Sequence, residues 1–365
     1  MNGASKKSLS ERVAVKAAPI SEAAAGAILT IDLGAIRENY RRLKARLGDV
    51  GCAGVVKADG YGLGGAQVAA ALAAEGCATF FVAHLAEGVL LRQALGARPA
   101  IYVLNGIQPG AESEAIEAEL GVVINSAGQL AAWRSAAQRA GRKLKAGIQV
   151  DSGMSRLGMA AAEVEAVTAD PRAFDGINAT FVMSHLARAD EPEHPANEQQ
   201  RLEFERLRRM LPPVPASLAN SSGIFLGQPF HYDLARPGAA LYGINPTPAE
   251  ENPMLPVVRL QAKVIQTRSL VRGAGVGYGH ISRDRFAGRR NDLAWLCRWL
   301  ASSRGFRRLG RKCAFAVRGP CIDGFDRSRH FGPAARQAEG GRPRRTDRTV
   351  ANGGSGGRPC RHHRL

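Results

Sequence analysis

Lys57, in the stretch Val55–Gly64 (VVKADGYGLG), has the surroundings of an amine built to attack a carbonyl. Val55 and Val56 are β-branched and read as the end of a buried strand, while Asp59-Gly60 with Gly62 and Gly64 stops that strand in a tight turn. Lys57 therefore stands at a strand's C-terminal end, where partial desolvation lowers an amine's pKa and allows a Schiff base to form. Four later segments carry polar residues of complementary chemistry: DSGMSRLG with Asp151 and Arg156, MSHLARAD with His185, ANSSG with Asn220, Ser221 and Ser222, and ARPGAALYG with Arg236 and Gly238. Small hydroxyls and backbone N–H groups in the last two are the makings of a phosphate site. Each residue alone has a plainer reading. Lys57 could be a solvated turn lysine, His185 a hydrogen-bonded structural histidine, Arg156 an ion-pair partner and Ser221 a helix cap. Their common placement argues for the functional reading.

That placement comes from a strand-then-helix rhythm. Ile28–Ile31 reads as a strand, and Asp32 caps a helix whose apolar positions Ile36, Tyr40, Leu43 and Leu47 follow helical spacing. Beyond Lys57, strands are expected over 78–83, 100–104, 122–124, 144–150, 179–184, 216–219 and 233–236. Helices fit between them, among others over 67–75, 86–95, 128–139 and 197–210. Counted from the Lys57 strand, these make about eight βα units, which predicts an α/β TIM (β/α)8 barrel over 28–245. A doubly wound open sheet is the second choice, weakened because no GxGxxG opens a helix after the first strand. In a barrel, every polar motif named above falls just after a strand end, where such folds place their active sites.

Composition divides the chain unevenly. The net charge is +18 over 365 residues, but residues 281–365 hold 21 basic against 6 acidic side chains, a net of +15, leaving +3 for all the rest. Only Lys312 among those 21 is a lysine, and four of the six cysteines (Cys297, Cys313, Cys321, Cys360) also fall there. None of them has CxxC spacing, so no metal site is expected. Cys52 and Cys77 read as reduced core residues. Residues 1–27 are Ala/Ser-rich without an apolar h-region and read as a flexible N-terminus. With no stretch long and apolar enough to span a bilayer, the cytoplasm is the expected compartment.

VVKADGYGLG, VDSGMSRLG, SHLARAD, ANSSG and ARPGAALYG occur in the order and spacing of bacterial alanine racemases, and the resemblance runs from about Ile28 to His280. It implies a barrel followed by a smaller β domain, working as a homodimer with pyridoxal 5'-phosphate (PLP). The activity would be interconversion of L- and D-alanine through a PLP Schiff base by two-base proton transfer, supplying D-alanine for peptidoglycan. Residue by residue, Lys57 resembles the Schiff-base lysine and one acid/base group, while Tyr61, Ser221 and the backbone at Gly238 resemble the phosphate ligands. His185 is similar to the histidine beside the pyridine ring and Arg236 to the arginine on the ring nitrogen. Arg156 resembles the arginine near the phenolic oxygen and the substrate carboxylate. GVGYGH, residues 275–280, resembles the segment whose tyrosine, here Tyr278, supplies the second acid/base group to the partner subunit.

Two departures matter. Where many members carry a carbamylated lysine that orients the arginine, this chain has Gln149, whose carbonyl could accept the same hydrogen bond. Residues 246–280 read as the start of the β domain, but 281–365 form an Arg-rich aberrant tail. Where family members have a stretch resembling TISLGYADGWPR, this chain has Asn291–Ser302, NDLAWLCRWLAS. Back-translated and read one base later, those residues can encode the family stretch. Both its glycines are forced, because Trp295 and Trp299 are each tgg and gg followed by any base is a glycine codon. Residues 319–325 permit GRVSMD in the same frame, resembling the family's substrate-carboxylate segment. The tail therefore reads as a frame-shifted version of the missing domain. This leaves a second functional reading, a non-catalytic PLP-binding barrel. Nucleic-acid binding by the tail is not expected, because its arginines lack an interleaved aromatic pattern.

Overall fold

The computed structural model describes residues 21–263 and 266, and the backbone of 275–276 and 281–282. Tyr278, residues 1–20 and nearly all of the tail lie outside the described residues. Two compact units divide the chain: the first contains the barrel, and the second contains an antiparallel ladder in which Gly275 pairs with Ser282 and Val276 with Ile281.

Strand β1 (Ala27–Ile31) leads into the helix Leu33–Leu47, whose first turn is capped as expected: Asp32 Oδ1 accepts from the Ala35 amide at 2.9 Å. Ile36, Tyr40, Leu43 and Leu47 all face the core. The barrel strands follow: β2 (Gly51–Cys52), β3 (Gly54–Val55), β4 (Thr79–Val82), β5 (Ala100–Val103), β6 (Gly121–Ile124), β7 (Leu144–Gln149), β8 (Ile177–Met183), β9 (Ala216–Ser217) and β10 (Leu234–Ala235). β3 to β9 form one all-parallel seven-stranded sheet in sequence order. Closure comes from β10, which pairs in parallel with β2, the lower half of the Lys57 strand. The Asp233 and Arg236 amides complete the ring by donating to the Ala216 and Ala219 carbonyls at 3.1 and 2.9 Å. The barrel reading thus holds, and the strands and helices named from the sequence fall within two residues of the observed ends. β11 (Val258–Ala262) lies outside the ring, antiparallel to β1.

The lumen is filled rather than open. Phe81, Tyr102 and Phe181 interlock with centroids 4.8–5.7 Å apart, among Ala53, Val55, Val123 and Met183. The β7 strand makes room for them with Gly147, where a Cβ would lie 2.2 Å from the Phe181 ring. Two further apolar clusters seat the helices on the outside of the ring. Cys52 and Cys77 are buried free thiols, as expected. No helix among the described residues is long and apolar enough to cross a membrane.

Candidate active site

Every strand of the ring ends on the same side, so residues far apart in sequence meet there. Lys57 is separated from β3 by Val56 alone and is half-buried, held between the strand end and a left-handed turn. Ala58, Asp59, Gly60 and Tyr61 all have φ between 51° and 63°, a run that costs each non-glycine residue about 1–2 kcal/mol. Local bonds hold it: the Gly60 amide donates to the Val56 carbonyl at 2.9 Å, and Asp59 Oδ1 accepts from the Gly65 amide at 2.7 Å. Burial, followed by the Arg156 charge, lowers the pKa of Lys57, with Glu87 opposing. The turn expected after Lys57 is therefore present, but it winds left-handed, and only one of its four residues is a glycine.

The left-handed turn carries Tyr61 back over Gly238 and Tyr242, just beyond the end of β10. Its ring lies 4.6 Å from that of Tyr242, whose hydroxyl donates to the Val55 carbonyl at 3.3 Å. Below it, Ser221 Oγ is buried and accepts from the amides of Gly238 and Ala240 at 3.0 and 3.1 Å, so the serine's own proton remains free to be donated. A Cβ at Gly238 would sit 2.2 Å from the Tyr61 hydroxyl and 3.3 Å from Val55 Cβ; only a bare backbone fits there. Asn220 fixes this loop, accepting from the Gly223 amide at 2.9 Å and donating to the Leu186 carbonyl at 3.2 Å. Tyr61, Ser221 and Gly238 are thus one cradle of hydroxyls around a backbone that tolerates no side chain.

Arg236 is buried at the end of β10. It donates to Ser217 Oγ, to the Ser184 carbonyl at 2.6 Å and towards His185 Nδ1 at 3.4 Å, which leaves guanidinium donors over for a ligand. Burial pulls its pKa down to about 9, so it stays charged at neutral pH. Burial first, then Arg236, Arg156 and Lys57, pull His185 from its ordinary 6.5 to about 3. His185 is therefore neutral, among three cations. Between those two values the folded chain binds fewer protons than the unfolded one, so stability is fully present above about pH 6.5 and declines towards pH 3. Thermal melts of the cofactor-free protein should fall across that window, and fall less in His185→Gln; identical slopes in the two proteins would contradict this account.

Arg156 sits in the loop after β7. Asp151 Oδ1 gathers the amides of Gly153, Met154 and Ser155 at 2.9–3.0 Å, which turns the chain so that Arg156 is exposed at the mouth. The bond anticipated from Gln149 to Arg156 is not formed among the described residues. The buried Gln149 amide instead donates to the Leu157 carbonyl at 3.1 Å, because the loop brings that carbonyl, not the guanidinium, over the strand end. Sequence reasoning also passed over Tyr242 and Glu87. Glu87 has a visible signal, an acidic residue in the first turn of the helix Leu85–Leu95.

These residues suit PLP. Two hydroxyls around a bare backbone would suit a phosphate, a buried cationic guanidinium a ring nitrogen, a neutral imidazole a ring edge, and a lysine of lowered pKa an aldehyde. The profile of the family described as alanine racemase, N-terminal domain, matches residues 31–246. The catabolic alanine racemase of Mesorhizobium japonicum is 74% identical over 262 residues, 72% of this chain and 69% of that protein. The alanine racemase of Rhodospirillum rubrum is 48% identical over 256 residues, 70% of this chain and 68% of that one. The crystal structure of alanine racemase from Bartonella henselae, which holds covalently bound pyridoxal phosphate, matches with a TM-score of 0.67 at 39% identity, covering 70% of this chain and 71% of that one.

Proposed function

This chain belongs to the alanine racemase family, and on that premise we propose that the barrel mouth binds PLP on Lys57 and interconverts L- and D-alanine in the cytoplasm, supplying D-alanine for peptidoglycan, with full activity and the homodimer requiring the second domain that residues 281–365 replace. The observation that carries the reading is the convergence of Lys57 with the Tyr61–Ser221–Gly238 cradle and Arg236 at one end of the ring. Ser221, whose hydroxyl proton is free to be donated, and the Tyr61 hydroxyl would hold the phosphate against the bare backbone at Gly238. His185 flanks the ring. Bound PLP supplies the electron sink that lets the α-proton leave.

The remaining chemistry belongs to the chain. Racemisation takes a proton from one face of Cα and returns one to the other, so two groups must flank it. Lys57 Nζ, with its pKa lowered by burial and Arg156, is the base on one face. Tyr278, from the partner subunit, is the group on the other. Arg236, still charged, would hold the ring nitrogen with a remaining guanidinium donor and keep it unprotonated, restraining side reactions. Arg156, exposed at the mouth, attracts the substrate carboxylate. Incubation with PLP and L-alanine in deuterium oxide tests the reading. D-alanine carrying α-deuterium is the expected product, and PLP retention without exchange would leave only the non-catalytic carrier. In the frame-restored chain, Tyr278→Phe should impair exchange more from one enantiomer than the other, and equal small effects on both would remove Tyr278 from the pair.

We further read residues 1–27 as an N-terminal stretch ahead of the barrel, 28–245 as the PLP barrel, 246–280 as the start of a β domain and 281–365 as an Arg-rich, out-of-frame tail.

A further inference from the structure

We propose that Glu87 is a positioning residue for Lys57, its carboxylate fixing the first peptide of the left-handed turn that presents the lysine. The proposal rests on the reading of Lys57 as the PLP lysine. Ala58 supplies the first amide after Lys57, so whatever accepts from it sets the plane of the 57–58 peptide and with it the direction in which the lysine leaves the strand end. Glu87 Oε1 accepts from that amide at 2.8 Å. Its Oε2 accepts from the Ala83 amide at 2.7 Å and the His84 amide at 3.3 Å, just beyond β4. One carboxylate therefore clasps the ends of two neighbouring strands, β3 and β4, from the first turn of the helix Leu85–Leu95.

The clasp matters because the turn is intrinsically uphill. Its other backbone bonds run within residues 56–65, so they favour the turn without saying where it points relative to the ring. Only a carboxylate can accept with both oxygens; a glutamine must turn an NH2 towards one of the two strand ends, opposing a donor with a donor. An aspartate keeps the charge but falls one methylene short. A plain capping role is separable, because Glu163 does a similar job elsewhere: in the first turn of the helix Ala161–Thr168 it accepts from the Ala127 amide, away from Lys57.

The test compares the full chain with Glu87→Gln, Glu87→Asp and Glu163→Gln. Each protein is mixed with PLP, quenched with borohydride at intervals and mapped for label on the Lys57 peptide, while melting temperatures are recorded without PLP. Both Glu87 variants should label Lys57 about tenfold more slowly, the size expected for one unpaired donor. Glu163→Gln should label at the parental rate whatever its melting temperature. Parental labelling rates in Glu87→Asp, or slowing in every variant in proportion to lost stability, would overturn the proposal. Absence of label on Lys57 in the unmutated chain would instead overturn the reading of Lys57 on which it rests.

Discussion

Replacing Lys57 by alanine should abolish covalent retention of PLP and lower alanine racemisation by at least about three orders of magnitude, since it removes both the covalent anchor and one of two proton-transfer groups. The choice of lysine is physical. Lys44, Lys143, Lys145 and Lys263 are exposed, whereas Lys57 is half-buried and is the lysine whose pKa burial and Arg156 lower. An amine attacks a carbonyl only when unprotonated, so this is the described lysine best placed to react near neutral pH. Lys57→Arg should be as inactive as the alanine variant, because a guanidinium keeps its proton. Borohydride reduction followed by peptide mapping reads the result, and label on any other lysine would sink the assignment.

Removing one base between the codons for His280 and Asn291 should raise racemase activity by at least about two orders of magnitude over the 365-residue chain, the range that a positioned acid/base group contributes. In the shifted frame Asn291–Ser302 can encode TISLGYADGWPR and residues 319–325 can encode GRVSMD, with both glycines of the first string dictated by Trp295 and Trp299. The same shift accounts for a tail rich in Arg, Gly and Pro that holds four of six cysteines, as an out-of-frame reading of GC-rich DNA would give. The barrel contributes Lys57, Ser221, Arg236 and Arg156 without the tail. On the frame-shift reading, residues 281–365 stand in place of the family's second domain, which we propose completes the homodimer and brings Tyr278 to the partner's lysine. Resequencing that interval and assaying both products decides the matter. A verified uninterrupted frame whose 365-residue product is fully active would refute the frame-shift reading.

The sequence by itself determined the ring and the placement of its chemistry. Strand and helix positions follow from apolar periodicity and from local signals such as Asp32 at a helix start, each contained within a few consecutive residues. Because every strand of a βα barrel runs the same way, a residue just after a strand is already known to lie at the shared mouth. Lys57, His185, Ser221 and Arg236 were therefore legible before any contact was known. Tertiary structure alone decided how these side chains are aimed. Nothing within VVKADGYGLG says that Ala58–Tyr61 wind left-handed; that conformation persists because Asp59 and Gly65, Glu87 on the next helix and Tyr242 from the far end of the ring all hold it. Gln149 could as well have faced Arg156 as Leu157, since an amide both donates and accepts, and the Asp151-centred loop settled which group it met. Composition fixes which hydrogen bonds a residue can make, whereas the partner it finds depends on ring closure bringing together segments far apart in the chain, such as Val55 and Tyr242.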